Sequence, residues 1–307
     1  MRSRTVNLSL RATLLLQLVY SAASPASENG QVHYPVGVNS IMNAVLPAPG
    51  ETEAYHYVMH YHSTRLNDAR GHSLDDNFEA DVVSWAPRVV HTWKTMLGPF
   101  FLSSGIITPI NRVEVHAFGR KDVSTGFSDP VLQPLYLYYV NKDGTFFAHA
   151  GPDIYVPIGR YDKDSVANNG LNHWTIAPSF NATWMPTPRW ELSSTLYTEF
   201  HARNPDTDYK SGNNVTLDFN VAYRPMLTAP KLKVALQGYV LKQFTDDQKS
   251  GVDFENGNRG QAFALGPQLS YDIADGKGAV LLKYQREFAV ENRTQGQRLW
   301  FEVAIPF

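Results

Sequence analysis

The chain has 307 residues, 43% of them hydrophobic and 18% charged, with a formal charge of −2 and a mean hydropathy of −0.30. No mature segment approaches the run of roughly 20 apolar residues that a membrane-crossing helix needs, which excludes a helical bundle in a membrane. Sixteen Tyr, 16 Phe and 6 Trp are too much buriable surface for a disordered chain, the lack of cysteine removes disulfide frameworks and zinc-thiolate sites, and the near-neutral balance argues against a nucleic-acid partner.

Residues 1–23 read as an export signal. Arg2, Arg4 and Arg11 precede a short apolar core from Ala12 to Val19, and Ser21-Ala22-Ala23 offers the small residues of a cleavage site after Ala23. Removal leaves 24 basic against 29 acidic residues, so the mature chain is mildly acidic. Residues 24–52 follow, with Tyr34, Val36, Val38, Ile41, Met42, Val45 and Leu46 as apolar content. Free tails seldom carry so many apolar residues, so this segment is expected to fold into a lumen as a plug, the alternative being a periplasmic tail.

From residue 53 onward apolar and polar residues alternate, which places them on opposite faces of a strand. Strands are predicted at 53–65, 79–94, 98–118, 130–140, 145–157, 171–185, 189–203, 213–225, 230–244, 260–273, 278–289 and 296–307. Most exceed the roughly 9–11 residues with which a tilted strand crosses a bilayer. Short links, such as Asn141 to Gly144, Pro186 to Pro188 and Ala274 to Lys277, alternate with longer polar ones over 66–78, 119–129, 158–170, 204–212 and 245–259. An all-β, antiparallel up-and-down barrel of about twelve strands in an outer membrane, occupying 53–307, has this arrangement of short turns and long outer loops.

The aromatic residues support that placement over a soluble sandwich. Trp93, Tyr139, Phe146, Trp184, Trp190, Tyr223, Tyr271 and Phe307 all lie beside a short turn or the C-terminus and on the apolar face, as a belt at one lipid interface requires. The opposite face carries Glu191, Glu199, His201, Arg203, Asp218, Arg224, Lys231, Lys233, Lys283, Glu287, Arg298 and Glu302, which would line the lumen. In the first strand, Tyr55, Tyr57, Met59 and Tyr61 are expected outward, with His56, His60 and His62 inward.

Several short segments, in order along nearly the whole mature chain, carry a family resemblance. They include Gly126-Phe127-Ser128-Asp129, Pro157-Ile158-Gly159-Arg160-Tyr161, Asn172-His173-Trp174, Asn204 to Tyr209 with Gly212, and Gln243 to Asp247. Leu265-Gly266-Pro267, Glu287-Phe288 and Asn292-Arg293 complete the set, and Pro47-Ala48-Pro49-Gly50 is similar to the turn before the first strand. Together they resemble the outer-membrane proteins associated with the meta-pathway of phenol degradation. The resemblance implies a barrel that helps aromatic or other hydrophobic compounds enter the cell and performs no ring chemistry, so no catalytic residue or cofactor is carried over. Phe307 resembles the C-terminal signal by which the insertion machinery recognises barrels.

Other chemistry is weaker in the sequence. His56, His60 and His62 at alternate positions could converge on an ion, but no acid on the same strand completes a metal site, and a pH-responsive lumen suits them better. Ser194 and His91 share the lipid face, as a lipase would need, yet belong to distant strands. Asp206, Asp208, Asp246, Asp247 and Asp253 lack the spacing of a calcium loop. The expected function is uptake of small hydrophobic, aromatic compounds through a narrow or occluded barrel; the alternatives are an outer-membrane enzyme acting on lipid, or a structural or adhesive barrel.

Overall fold

The computed structural model describes residues 31–226, 231–254, 256–273 and 278–306. The export signal, the first residues after it and Phe307 lie outside the described residues. No helix among the described residues is long and apolar enough to cross a membrane; the chain is built from strands.

The wall begins with β1 (Thr52–Leu66), β2 (Glu79–Leu97), β3 (Phe100–Ile107), β4 (Ile110–Ala117), β5 (Arg120–Phe127), β6 (Val131–Val140) and β7 (Phe146–Tyr155). It continues with β8 (Thr175–Thr187), β9 (Trp190–His201), β11 (Asn214–Tyr223), β12 (Leu232–Gln243), β15 (Gln261–Ile273), β16 (Gly278–Glu291) and β17 (Thr294–Pro306). Short β10 (Tyr209–Lys210), β13 (Gln248–Lys249) and β14 (Val252–Asp253) pair among themselves above the wall. Because β1 pairs with both β17 and β2, the sheet has no free edge there and closes into a 12-stranded antiparallel barrel.

Twelve strands arise from more segments because two are interrupted by proline. β3 and β4 both pair with β2 and form one strand broken at Thr108-Pro109, where Pro109 has no N–H for the ladder. β5 and β6 are similarly divided by residues 128–130, which include Pro130.

One predicted loop is a strand. Residues 119–129 were expected as a polar connection, but β5 pairs with β4 along its entire length, from Ile110↔Phe127 to Ala117↔Arg120. The turn is Phe118-Gly119, both at positive φ (50° and 75°), the conformation that tight hairpins require. The polar residues Asp122 and Ser124 face the connection that follows β7, which masks the usual apolar alternation.

The inward and outward faces separate cleanly along most of the wall. Leu265, Leu269, Leu299 and Phe301 are exposed, whereas Gln268, Ser270, Lys283 and Trp300 are buried. Trp93, Trp184, Trp190 and Tyr271 are exposed on the outer face, Tyr139 and Tyr223 are half-buried there, and Trp190 lies 4.8 Å from Tyr223 between ring centroids.

β1 has the reverse of the expected register. Met59 and Tyr61 are buried inward opposite Trp300 and Arg298, while Val58 and His60 lie outward opposite Phe301 and Leu299. His56 stacks on the exposed ring of Trp85. His60 and His62 meet Asp81 at 2.9 and 3.4 Å on the outer side. Tyr and Met are amphipathic enough for either face, and a lumen filled with aromatic residues and protein backbone, instead of water, takes them in.

Residues 31–50 run inside the barrel. Their apolar side chains pack against the inner wall in the main core cluster, where Tyr34, Val36 and Val38 meet Met59, Tyr239 and Trp300. Ile41 packs with Ala222 and Leu281, and Leu46 with Val90, Tyr136 and Tyr138. Gly37, at φ 81°, passes so close to the wall that a Cβ there would stand 2.4 Å from Gln285 and 2.7 Å from Tyr239.

Candidate functional site: a partly filled lumen

The predicted lumenal acids work as anchors for the N-terminal segment. Glu199 accepts the backbone N–H groups of His33 and Tyr34 at 2.9 and 3.0 Å through one oxygen. Asp218 accepts the Tyr34 hydroxyl at 2.6 Å together with the N–H groups of Gly37 and Asn39. Glu191 accepts the N–H of Met42 at 2.7 Å, and Thr183 that of Ala44. Lys283 donates to the carbonyl of Val38 and Gln285 to that of Gly37. A segment without regular secondary structure can lie buried in the lumen because the wall supplies partners for its backbone groups.

The remaining charges pair with one another. Lys283 meets Glu302 at 2.6 Å, Lys233 meets Glu191 at 3.1 Å, and Arg224 meets Asp272 at 3.0 Å. Arg298 pairs with Glu287 at 2.6 Å and lies over the Tyr61 ring, 4.6 Å from its centroid. Lys231 is exposed, and Arg203 sits in the outer loops against Asp208.

The anchors lie mainly on β8, β9, β11 and β16, so the segment hugs that side of the barrel. Against the opposite side, along β1, β2 and β4, remains a cavity of about 360 Å³. Its wall is largely apolar, with Phe78, Val82, Ile107, Val113 and Val115 facing Val32 and Val36 of the segment. Its polar groups include Arg88, which donates to Gln133 at 2.8 Å, and Asp153, which accepts from Tyr197 at 2.9 Å, with Asn111, Asn169 and Arg298 elsewhere around it. Below them, Leu46, Val90, Tyr136 and Tyr138 close the lumen toward the short turns.

The segments that carry the family resemblance converge above this lumen, far apart in sequence. Asp129 accepts the N–H groups of Gly159 and Leu171 at 2.8 and 2.7 Å, and holds the ring of His33 at 3.0 Å. Burial opposes its ionisation, but the hydrogen bonds from His33 and from those two N–H groups outweigh it and hold the carboxyl below its ordinary range. A Cβ on Gly170 would stand 2.7 Å from Asp129, so only glycine allows this close crossing. Asn172 donates to Asn204, and Asn204 to the Tyr161 hydroxyl, both at 2.9 Å. Asp247 takes the Tyr209 hydroxyl at 2.5 Å and the N–H of Gly212 at 2.7 Å. These motifs knit the outer connections into a cap.

Other candidates find ordinary partners. Ser194 donates to the backbone carbonyl of Asp218, and His91 meets Thr52 and the Trp93 ring; the two are on β9 and β2, well separated around the wall. Asp246 pairs with Arg259 at 2.6 Å, Asp208 with Arg203, Asp253 accepts from Gln248, and the backbone N–H of Asp206 donates to the Asn204 side chain. Among the described residues, the one group of histidines and acids spaced for a metal is His33, His173 and His201. His201 was expected in the lumen, while His33 and His173 lie in irregular segments where alternation gives no signal.

Residues 63–303 match the model of the family described as “Putative MetA-pathway of phenol degradation”. The chain belongs to that family. The COG4313 outer membrane channel from Pseudomonas putida F1 is similar in structure, with a TM-score of 0.76 and 18% identity over 88% of this chain and 100% of that one. The β domain of the Bordetella autotransporter BrkA matches with a TM-score of 0.51 and 10% identity, over 85% of this chain and 100% of that domain. Among curated proteins, none matches the sequence. The fold of this family member is that of an outer-membrane barrel, and its apolar outer wall places it in that membrane.

Proposed function

We propose that the protein is an outer-membrane passage for small hydrophobic compounds, aromatic ones included, that feed a catabolic pathway. The observation that carries this reading is the apolar cavity of about 360 Å³ beside the N-terminal segment. A water-filled porin presents a charged, open lumen; here many lumenal charges are spent on the segment and on each other, and Val, Ile and Phe line one side of the free space, with polar groups such as Arg88 on the other. Membership of a phenol-degradation family and the likeness to an outer-membrane channel support the same reading.

Residues 24–52 act in this reading as the plug that excludes hydrophilic solutes, and Arg88 with its neighbours sets the polar floor of the passage. No side chain is assigned to chemistry on the substrate. Deleting the gene is expected to slow growth on low concentrations of an aromatic carbon source while cell extracts keep their degradative activity. Loss of activity in extracts, or unchanged growth at limiting substrate, would overturn the transport reading.

A further inference from the structure

Three imidazoles from separate parts of the chain meet at the outer end of the lumen. His33 belongs to the N-terminal segment, His173 to the connection before β8, and His201 is the last residue of β9. One ligand atom of each lies within 4.8 Å of the others. The ring centroids of His33 and His173 are 4.9 Å apart, and those of His173 and His201 are 5.3 Å apart. The His33 side chain is 4% exposed, and His173 and His201 are 6% and 4% exposed.

The hydrogen bonds around the cluster decide which nitrogens are available. The Asp129 carboxylate, 3.0 Å from Nε2 of His33, makes that nitrogen the protonated donor and leaves Nδ1 as a lone pair. Nδ1 of His33 is buried and has no hydrogen-bond partner, a state that ordinarily costs stability. Nδ1 of His173 points at the carbonyl of Trp174 at 3.3 Å, which turns Nε2 into the lone-pair nitrogen. His201 is held by Thr175 at 2.9 Å and Asn214 at 3.0 Å and would exchange one of these contacts for an ion.

We propose that His33, His173 and His201 bind one divalent transition metal of the zinc class, with Asp129 as the positioning carboxylate behind His33. A carboxylate on the far nitrogen of a ligating histidine fixes its tautomer and direction. Three imidazoles suit zinc, nickel or copper, whereas calcium and magnesium take oxygen ligands. Zinc-bound nitrogens at about 2.0–2.1 Å from the ion stand roughly 3.4 Å from each other, so the rings close inward by about an ångström on binding. Glu199, on the same face as His201, has a buried oxygen without a partner beside the site. Such an ion ties the N-terminal segment to an outer connection and to the wall at one point, so its occupancy governs how firmly the segment stays in the lumen.

The test uses the full mature barrel without a histidine tag, stripped with a chelator and titrated with zinc chloride by calorimetry. One zinc per chain is expected, with affinity lowered at least 100-fold in His33→Ala and in His173→Ala, and about 10–100-fold in Asp129→Asn. The double variant His60→Ala with His62→Ala, on the outer face, keeps the site. Cobalt(II) should give visible ligand-field bands that His33→Ala and His173→Ala lose. Heat-modifiable gel migration verifies that each variant is a barrel; His33 belongs to the lumenal segment and not to a wall strand, so its variant decides the matter even where His201→Ala fails to fold. No zinc binding, binding that persists in both His33→Ala and His173→Ala, or binding lost only in the outer-face variant would overturn the site and leave the cluster a hydrogen-bonded knot.

Discussion

The Tyr34 hydroxyl donates a 2.6 Å hydrogen bond to Asp218, a residue 184 positions later in the chain. The same carboxylate takes the N–H groups of Gly37 and Asn39, so one wall residue holds three points of the N-terminal segment. Asp218→Ala leaves these donors without partners in a buried place, at about 1–3 kcal/mol each where water cannot reach them. The variant is expected to form a barrel, to expose residues 31–50 to protease in detergent, and to raise ion conductance in planar bilayers. Protection and conductance equal to the parent protein would show that the segment is held by packing alone.

Val113 lines the apolar cavity from β4. Val113→Trp fills part of that space without adding charge, and should slow growth on limiting aromatic substrate about as much as deleting the gene. Its heat-modified migration should be unchanged. A barrel of normal stability with normal uptake would mean that substrate travels elsewhere.

The absence of cysteine makes the faces of β1 directly measurable. A single His60→Cys should carry a spin label that senses lipid or outer-surface relaxing agents, and Met59→Cys should be shielded within the lumen. The reverse pattern would restore the register read from alternation alone. Replacing both His60 and His62 by Ala should change unfolding by no more than about 0.5 kcal/mol, because their contacts with Asp81 are exposed.

Asp75, in the loop after β1, accepts the N–H of Phe118 at 2.5 Å and that of Asn77 at 3.0 Å, and these bonds hold its carboxyl below the ordinary range. A depressed folded pKa contributes order that is complete above the ordinary carboxylate pKa and fades as pH falls through the folded one. Amide exchange at Phe118 and Asn77 should therefore quicken under acid conditions, and Asp75→Asn should remove that pH dependence.

The strand plan was legible because a barrel wall must alternate, and residues such as Leu265, Leu269 and Tyr271 against Gln268 and Ser270 do so without exception. β1 was not, because Tyr and His both tolerate either face and only the contents of the lumen decide between them. β5 was hidden by Asp122 and Ser124, whose partners lie in a connection more than forty residues later. Glu199 and Asp218 were recognisable as lumenal, but their work of holding backbone N–H groups is not written in side-chain pattern. His33 and His173 belong to irregular chain, where only the family motif around His173 gave any sign.

The N-terminal segment precedes β1 in the chain yet is fastened mostly to β9, β11 and β16, more than 140 positions later. Its binding partners therefore all follow it in the chain, and they face it together only when β9, β11 and β16 stand in one wall. The segment is held by a surface built from strands that come after it, so a wall without β16 would leave the Gly37 and Val38 carbonyls without their partners Gln285 and Lys283.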